Sequence, residues 1–532
     1  MYEAANRLGE MRGDLIGCMC AVTGKTVVEG DVEVSEGIDY ARFYTTSMKQ
    51  FAELPDVDIA PKGTILVISP WNFPCAIPIG GIVAGLAGGN TVILKPATVA
   101  APVAWLFAKA FWDAGVPKEA LQVIITDREA LKVLTTAPAV KHIILTGGTD
   151  TAQNIARSNP ATPLSAETGG KNAIILTASG DRDHAIMNIV ASAFGNAGQK
   201  CSACSLLLVE RSVYEDKNFQ DKLKDAATSM KVGSVWNPGN VVGPMITNKN
   251  DKLLKALELE KGESWLVPPR FLDKHKYVLA PTVKWGVRPG NYSFRTELFG
   301  PMLSVVCIEN LQQGIDLVNS LEYGLTSGLQ SLDEGEQKLW KDSIMAGNLY
   351  INRGITGAIV NRQPFGGMKL SAFGGGVKAG GPNYCACFVN IADKPGSTTD
   401  YTQSYVKAYE QEFAHARDVN NLYGEQNAFR YLPLKNMVLR LFPGDNNEDA
   451  KMIALAARIC HTPLSISFEP GDDRTAALAS LGCPLKEEAL AGFLKSMKNY
   501  ERIRTCGADI PMEMYEEAAR IDKYIATAKP VK

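Results

Sequence analysis

Apolar and polar positions alternate in blocks along the first third of the chain. Two stretches within residues 1–54, "MYEAANRLGEMRGDLIGCMCAVTG" and "EVSEGIDYARFYTTSMKQFAE", carry apolar residues at helical spacing and predict helices. Short apolar runs then alternate with longer amphipathic ones. The predicted strands are "GTILVISPW", "NTVILKPA", "LQVIIT", "VKHIILTGG" and "NAIILTAS". Strands that alternate with helices indicate βαβ units and an α/β fold with a parallel sheet.

A second α/β unit follows the cysteine-containing stretch "FGNAGQKCSACSLLL". It is predicted to contain a helix in "VYEDKNFQDKLKDAATSM" and strands around "LSVVCIEN" and "NLYIN". The glycine-rich stretch "FGGMKLSAFGGGVKAGGP" (365–382) ends this unit, and residues 395–421 are predicted to form a polar connector.

The last hundred residues repeat an earlier pattern. The segment "RYLPLKNMVLRLFPGDNNEDAKMIALAARICHTPLSISFEP" predicts strand, helix, strand, as the first βαβ unit does, but it lacks the Asn and Lys that follow the first two strands there. It is either a degenerate Rossmann-like repeat without chemistry or a chance likeness between two βαβ units. We predict a helical start and NAD(P)-binding Rossmann-like domain (1–168) and a catalytic domain (169–366). A return segment and connector (367–423) then leads to a C-terminal degenerate Rossmann-like domain (424–532).

Composition narrows the class of protein. The 532 residues are 46% hydrophobic and 21% charged, with a formal net charge of -2 and no clustered basic residues, so nucleic acid is not an expected partner. No apolar run is long enough to span a bilayer, and the N-terminus does not resemble a signal peptide. Eleven cysteines at scattered spacings favour free thiols in a reducing cytoplasm.

Cys201 and Cys204 are separated by two residues, which is the spacing of half a zinc site, of a redox pair, or of one nucleophile beside a bystander. A zinc site needs about four ligands, yet no second such pair exists and the chain has only five histidines, so no metal is predicted. A redox pair is expected at a helix start, whereas the strand "SLLLVE" follows here. The residues alone therefore disfavour a zinc site and a redox pair, and they leave open the interpretation of one nucleophile beside a bystander.

Chemically useful residues follow the predicted strands, where parallel α/β sheets bind their ligands. Asn72 follows the first strand, Lys95 the second, and Gly147 and Gly148 open the helix after the fourth. A glycine-rich turn into a helix suits pyrophosphate. Further along, Glu167 precedes a glycine pair between the two units, and Glu297 precedes a strand of the second unit. Each alone fits an ordinary surface residue, but the ordered set indicates an enzyme.

The motifs "PWNFP", "LKPA", "TGGT", "ETGGKN", "GQKCS" and "ELFGP" occur in this order. Together they resemble the NAD(P)-dependent aldehyde dehydrogenase superfamily over about residues 5–395. The stretch "YINRGITGAIVNRQPFGGMKLSAFGGGVKAGGPNY" looks like the glutamate-γ-semialdehyde (1-pyrroline-5-carboxylate) dehydrogenases, most of all the dehydrogenase half of the bifunctional proline-utilisation enzymes. The tail from about residue 424 resembles their extra C-terminal domain.

The resemblance implies a role for each motif. Cys201 is then the nucleophile, Glu167 the general base, and Asn72 an oxyanion donor together with the Cys201 amide. Burial at the seam is expected to raise the pKa of Glu167 toward neutrality. The cofactor is NAD, with NADP left open because Thr98 stands where many relatives carry an acid. The implied cofactor-binding residues are Lys95, Gly147, Gly148, Glu297 and Trp71.

The implied substrate is L-glutamate γ-semialdehyde, oxidised to L-glutamate in proline catabolism. Backbone amides of Gly357 and Ala358 and the Ser202 hydroxyl would hold its α-carboxylate, with Phe73 and Phe365 as apolar walls. The family also implies a homo-oligomer and, in a longer parent protein, an upstream proline dehydrogenase domain. Another semialdehyde or an aliphatic aldehyde is the alternative substrate. A non-catalytic scaffold is disfavoured because Cys201, Glu167 and Asn72 are all present.

Overall fold

The computed structural model of the chain describes residues 1–507 and 509–532. Its strands and helices are numbered in chain order. The chain begins with helices α1 (Tyr2–Glu10), α2 (Arg12–Thr23) and α3 (Val27–Ala52). The first two were predicted as one stretch and separate at Met11, between Gly9 and Gly13, where glycine weakens a continuous helix. Strand β1 (Val57–Pro61) then leads into the first sheet.

The first sheet is the predicted parallel sheet, in the order β16-β6-β5-β2-β3-β4. Its strands are β2 (Thr64–Ile68), β3 (Thr91–Lys95), β4 (Leu121–Val123), β5 (Val140–Thr146), β6 (Leu164–Glu167) and β16 (Ala372–Phe373). Only β16 runs antiparallel, beside β6. The connecting helices are α4 (Ala76–Ala87), α5 (Ala101–Asp113), α6 (Arg128–Thr136) and α7 (Thr149–Ser158).

The second sheet has the order β14-β13-β7-β8-β11-β10-β9 and is parallel except at β9. Its strands are β7 (Asn172–Leu176), β8 (Cys204–Glu210), β9 (Ser264–Val267), β10 (Thr282–Trp285), β11 (Met302–Ile308), β13 (Thr326–Gln330) and β14 (Asn348–Ile351). Its helices are α8 (Arg182–Phe194), α9 (Arg211–Tyr214), α10 (Lys217–Ser229), α11 (Asp251–Ala256), α12 (Tyr292–Arg295), α13 (Leu311–Asn319) and α14 (Glu334–Ser343). Because β6 ends the run of the first sheet and β7 belongs to the second, residues 168–171 form the seam between them.

The chain then returns to the N-terminal part of the molecule. Strands β12 (Tyr323–Gly324) and β15 (Met368–Lys369) form a short antiparallel pair, and β17 (Val389–Asp393) pairs antiparallel with β1. The predicted polar connector contains helix α15 (Tyr401–Ala408) and a further turn over Tyr409–Phe413, two elements that the sequence analysis did not assign. Helix α15 buries none of its residues, which explains why its sequence shows no strong apolar face.

The C-terminal sheet has the order β20-β19-β18-β21-β22, with every pairing parallel. Its strands are β18 (Met437–Arg440), β19 (Leu464–Phe468), β20 (Leu485–Glu487), β21 (Arg502–Arg504) and β22 (Ile525–Ala526). Its helices are α16 (Asn447–Ile459), α17 (Thr475–Ala479), α18 (Leu490–Ser496) and α19 (Met512–Arg520). The architecture confirms the α/β class with a C-terminal α/β extension. The domain limits at residues 168, 366 and 423 stay predictions.

Among the helices that the structure describes, none is both long and apolar enough to cross a lipid bilayer.

Candidate active site

Cys201 lies at the end of a strained turn that joins α8 to β8. Asn196 and Ala197 both have φ of 53°, and Gly198 has φ of 67°, all in the left-handed region that side chains disfavour. A Cβ atom on Gly198 would lie 2.2 Å from the Gly300 carbonyl oxygen, so only glycine fits there. Backbone strain of this kind concentrates at functional sites. The turn places the Cys201 thiol at the seam between the two sheets.

Asn172 fixes the Cys201 backbone, a role that the sequence analysis did not assign. Its side-chain nitrogen donates to the carbonyl oxygens of Cys201 (2.6 Å) and Ala203 (3.0 Å). Its side-chain oxygen accepts from the Thr326 amide (3.0 Å). The residue is 2% exposed, so each of these bonds is protected from water. The motif "ETGGKN" contained this Asn, but its position alone did not reveal which loop it would reach.

Asn72 contacts the same turn from the loop that follows β2. One N–H of its side-chain amide donates to the Gln199 carbonyl (2.9 Å), which fixes the amide orientation and leaves its second N–H for a ligand oxygen. The backbone carbonyl of Asn72 accepts from Lys25 Nζ (2.7 Å), which fixes the main chain that carries this amide. Lys25 in turn forms a fully buried ion pair with Glu33 (2.9 Å). The amide is therefore preorganised, as an oxyanion donor must be.

Glu33 also anchors the loop that carries Asn72. Its carboxylate accepts from the amides of Cys75 (2.7 Å) and Ala76 (3.1 Å) at the start of α4. A carboxylate at a helix N-terminus is stabilised by the helix dipole and by the unpaired N–H groups there. The buried charge thus positions the strand-to-helix turn rather than facing a substrate.

Glu167 is the last residue of β6, at the predicted seam. Its Oε2 accepts from the Gly367 amide (3.1 Å), and burial raises its pKa to about 8, as the sequence predicted in direction. Lys378 favours the charged form of Glu167. The Lys378 ammonium donates to Asn348 Oδ1 (3.1 Å) and to the carbonyls of Gly347 and Gly366, and burial lowers its pKa to about 8. Glu167 is therefore poised to exchange a proton near neutral pH.

The Cys201 thiol is held protonated in this environment. Burial raises its pKa to about 12, and the carboxylates of Glu297 and Glu167 add to the rise. The thiolate is the reactive form of cysteine, so a nucleophilic role for Cys201 requires a group that accepts the thiol proton. Glu167 is the carboxylate whose own pKa, about 8, suits it to accept that proton.

The carboxyl ends of the first sheet offer a place for a dinucleotide. Lys95 ends β3 half-buried, which lowers its pKa. The Gly147 amide donates to the Glu167 backbone carbonyl (3.1 Å) and is not available to a phosphate. The amides of Gly148 and Thr149, at the start of α7, have no acceptor in the described part of the chain. Of the predicted pair, only Gly148, now with Thr149, therefore offers a free amide that could meet a phosphate.

Two further predicted cofactor residues are Glu297, in the second unit, and Trp71, which follows β2 of the first sheet. Glu297 is half-buried, and desolvation raises its pKa; its Oε1 accepts from the Gly170 amide (2.8 Å). A Cβ atom on Gly169 would lie 2.4 Å from a Glu297 carboxylate oxygen, so the glycine pair after Glu167 makes room for this acid. The Trp71 ring packs edge-on against Phe299, with 5.8 Å between ring centroids. The donors and acceptors present thus fit a dinucleotide.

The predicted substrate residues come from separate loops. Ser202 is 5% exposed beside the nucleophile, and Phe73 is half-buried with Lys25 Nζ 4.1 Å from its ring centroid. Phe365 is half-buried in the glycine-rich stretch. Gly357 has φ of 92°, and the amides of Gly357 and Ala358 have no acceptor in the residues that the structure describes. Two adjacent unpaired amides are suited to bind an anion.

Each cysteine of the chain is a free thiol in the structure, and Cys204 is 1% exposed in the core around β8. Within residues 1–507 and 509–532, no cluster of His, Cys, Asp and Glu side chains is arranged to hold a metal ion.

Comparison with known families decides the class of this site. Residues 1–393 match the model of the aldehyde dehydrogenase family. The chain belongs to the aldehyde dehydrogenase family. It is an NAD(P)-dependent aldehyde dehydrogenase, as the resemblance implied.

Individual relatives narrow the comparison. The chain is 33% identical over 405 residues to a 1-pyrroline-5-carboxylate dehydrogenase of Geobacillus sp. (strain WCH70), covering 72% of this chain and 78% of the relative. It is 32% identical to a Thermus 1-pyrroline-5-carboxylate dehydrogenase solved with bound NAD (TM-score 0.68), covering 73% of this chain and 79% of that one. Proline Utilization A from Corynebacterium freiburgense matches all of this chain with a TM-score of 0.87 and 36% identity. The chain spans 54% of the length of that protein.

Proposed function

We propose that this aldehyde dehydrogenase oxidises L-glutamate γ-semialdehyde to L-glutamate with NAD, in proline catabolism. The pair of unpaired amides at Gly357 and Ala358 carries the proposal, because a simple aldehyde has no group that would use them. The names of the similar proteins, 1-pyrroline-5-carboxylate dehydrogenase and Proline Utilization A, support the same substrate.

The proposed reaction begins with the Cys201 thiol. Glu167 accepts its proton while the sulfur attacks the aldehyde carbon. The free N–H of Asn72 and the Cys201 amide donate to the oxyanion as its charge develops. Bound NAD supplies the hydride acceptor that converts the thiohemiacetal into a thioester. Glu167 releases the thiol proton to solvent before hydrolysis. It then takes a proton from water as the water oxygen attacks the thioester carbon, and it passes that proton to the departing sulfur when the C–S bond breaks, which frees the acid product and the Cys201 thiol.

The remaining site residues are proposed to orient the reactants. Lys95 and Glu297 hold the ribose hydroxyls at the two ends of the dinucleotide, and Gly148 with Thr149 contacts its phosphates. Gly357, Ala358 and Ser202 hold the α-carboxylate of the substrate, while Phe73 and Phe365 flank its aliphatic middle. Interactions remote from the aldehyde carbon improve the rate by fixing the reactive geometry.

A steady-state panel of aldehydes and both dinucleotides tests the proposal. Glutamate semialdehyde is expected to exceed butyraldehyde in kcat/KM by about a hundredfold or more, since two or three hydrogen bonds to a charged group are lost with the carboxylate. Ser202→Ala is expected to cost roughly 1.5–3 kcal/mol of kcat/KM for the semialdehyde and little for butyraldehyde. An equal loss for both substrates, or a wild-type preference for the uncharged aldehyde, would favour the simple-aldehyde alternative.

The same comparisons support a proposal about partners. The match to about half of the Corynebacterium protein is consistent with a proline dehydrogenase domain in a longer parent protein. We also propose that the chain forms a homo-oligomer, which light scattering of the purified chain would test directly.

A further inference from the structure

The loop that carries Gly357 and Ala358 is tied to the C-terminal connector at both of its ends. One carboxylate, that of Glu425, forms ion pairs with Arg353 (3.2 Å) at the start of the loop and with Arg362 at its end. Glu425 is about seventy residues away from both arginines in the chain, so the bridge is tertiary rather than local.

A second set of contacts reinforces this bridge. The side-chain amides of Gln363 and Asn427 meet at 2.8 Å. With the Gln363 amide oriented so that both of its polar atoms are satisfied, its oxygen accepts from Arg353 Nη1 (2.7 Å) and its nitrogen donates to the Gly357 carbonyl (3.1 Å). The network around Glu425 therefore reaches the backbone of the anchor glycine itself.

The segment that carries Glu425 is held in a fixed conformation by hydrogen bonds of its own. Asp418 accepts from the amides of Asn427 (2.8 Å), Asn421 (3.1 Å) and Asn420 (3.1 Å), which folds residues 418–427 into a closed turn. These bonds lower the pKa of Asp418, so the carboxylate stays ionised and the turn intact at neutral pH. Asn427 is 8% exposed, which places the inner side of the turn against the catalytic unit.

We propose that Glu425 is a positioning residue for substrate specificity, which acts by holding the Gly357–Ala358 loop in the conformation that binds the α-carboxylate. This inference rests on the proposed function, because it needs a carboxylated substrate. Without Glu425, the two guanidinium groups would repel each other across the base of the loop. With it, the loop is closed before substrate arrives, and less conformational entropy is lost on binding.

The expected effect is moderate and confined to one substrate. The Arg353, Glu425 and Arg362 side chains are 36%, 29% and 29% exposed, so solvent screens the ion pairs in part. Glu425→Gln is expected to raise KM for glutamate semialdehyde about tenfold with kcat within about twofold of wild type. Butyraldehyde kinetics should be unchanged, because that aldehyde does not use the loop. Glu425→Asp should restore part of the loss by keeping the charge.

The chain offers a matched control in the same connector. Glu412 forms an ion pair with Arg417 (2.6 Å) at a similar exposure of 30% but contacts no residue of the loop. Glu412→Gln should leave KM for both aldehydes unchanged. Amide hydrogen exchange should be faster for the peptide that spans residues 353–363 in Glu425→Gln, and should match wild type in Glu412→Gln.

The outcomes separate this inference from the proposed function. The wild-type preference for the carboxylated aldehyde is measured first, and its absence would overturn the proposed substrate and the role of Glu425 together. If the preference holds, equal KM changes for both aldehydes in Glu425→Gln would overturn the positioning role alone. So would an unchanged exchange rate in residues 353–363, or a lower KM caused by attraction of the substrate to the released arginines.

Discussion

The first sheet and the C-terminal sheet share one strand order but differ at the carboxyl ends of their strands. In both sheets the first strand of the βαβ series lies in the middle, flanked by the second and the fourth. In the first sheet, Asn72 and Lys95 stand at these ends, and the amides of Gly148 and Thr149 have no acceptor in the described residues. The end of this sheet is open to a ligand.

The corresponding end of the C-terminal sheet is filled by its own side chains. Arg440, the last residue of β18, is fully buried and donates to Ser467 Oγ (2.8 Å) and the Glu488 carbonyl (2.9 Å). It also forms an ion pair with Glu469, just after β19. Arg474 donates to the carbonyls of Phe442 and Asp445 in the loop after β18. Strand order thus does not decide function, since the residues at the strand ends determine whether a ligand can enter.

The largest effect is expected at the seam between the two sheets, where Cys201 is the proposed nucleophile. Cys201→Ala should lower aldehyde oxidation by at least about a thousandfold, because no covalent intermediate can form. Dinucleotide binding should stay within a few-fold of wild type, since the cofactor residues are untouched. Cys204→Ala, which alters only the core beside β8, is the matched control. Full activity in Cys201→Ala would remove the assignment of the nucleophile.

Glu167→Gln should slow thioester hydrolysis by about 10²–10⁴-fold, the usual contribution of a general base, and slow hydride transfer less. Rapid mixing should then show a burst of reduced cofactor followed by slow turnover. In wild type, the active base is the deprotonated carboxylate with a pKa of about 8, so hydrolysis should fall as pH drops below about 8. The variant should lose this dependence. A variant without a burst would instead assign Glu167 chiefly to activation of the thiol.

At the filled end, a substitution should affect stability and leave the chemistry unchanged. Arg440→Met should destabilise the C-terminal sheet by about 3 kcal/mol. This destabilisation is at the low end of the range for a broken buried ion pair, because Glu469 is 30% exposed and water can hydrate its carboxylate. Denaturant unfolding would measure this loss of stability. Steady-state kinetics should show that kcat/KM of the folded variant equals that of wild type. A loss of dinucleotide binding in Arg440→Met would contradict this, because it would show that the C-terminal sheet takes part in ligand binding.

The smallest effect is expected for Lys95, at the carboxyl end of the first sheet. Lys95→Met should raise KM for NAD about tenfold, as the loss of one hydrogen bond from a charged group predicts, with little change in kcat. Lys141→Met is the control, because Lys141 is exposed on the same sheet and donates only to the Pro138 carbonyl (2.9 Å). Equal changes in both variants would point to general charge rather than to a contact with the ribose.

The sequence alone predicted most strands of the first sheet and the residues that follow them. The apolar runs predicted β2, β3, β5 and β7, and the βαβ rule then placed Asn72 and Lys95 at one edge. The strand β6 was missed because "LSAE" is short and not apolar, and its neighbour β16 comes from a distant glycine-rich segment. Contacts across such distances leave no periodic pattern in a sequence.

The same limit applies to the residues that position the site. Two hydrogen bonds depend on which loops meet in the fold: the bond from the Asn172 side chain to the Cys201 carbonyl, and the bond from the Gly367 amide to Glu167. The filled end of the C-terminal sheet was predicted only as a missing Asn and Lys. That Arg440 would occupy the space could not be inferred, because a buried arginine is rare and its partners lie in or just after two other strands, β19 and β20.

The bond between Gly367 and Glu167 has a consequence for synthesis of the chain on the ribosome. The two residues are 200 positions apart, and β6 acquires its neighbour β16 only with Ala372 and Phe373. At about 5–20 residues per second, roughly 10–40 seconds separate the emergence of the base from that of its partner. Cys201 emerges within this interval. The nascent chain therefore carries its reactive thiol before the walls that bury it exist, a period in which oxidation or aggregation competes with folding.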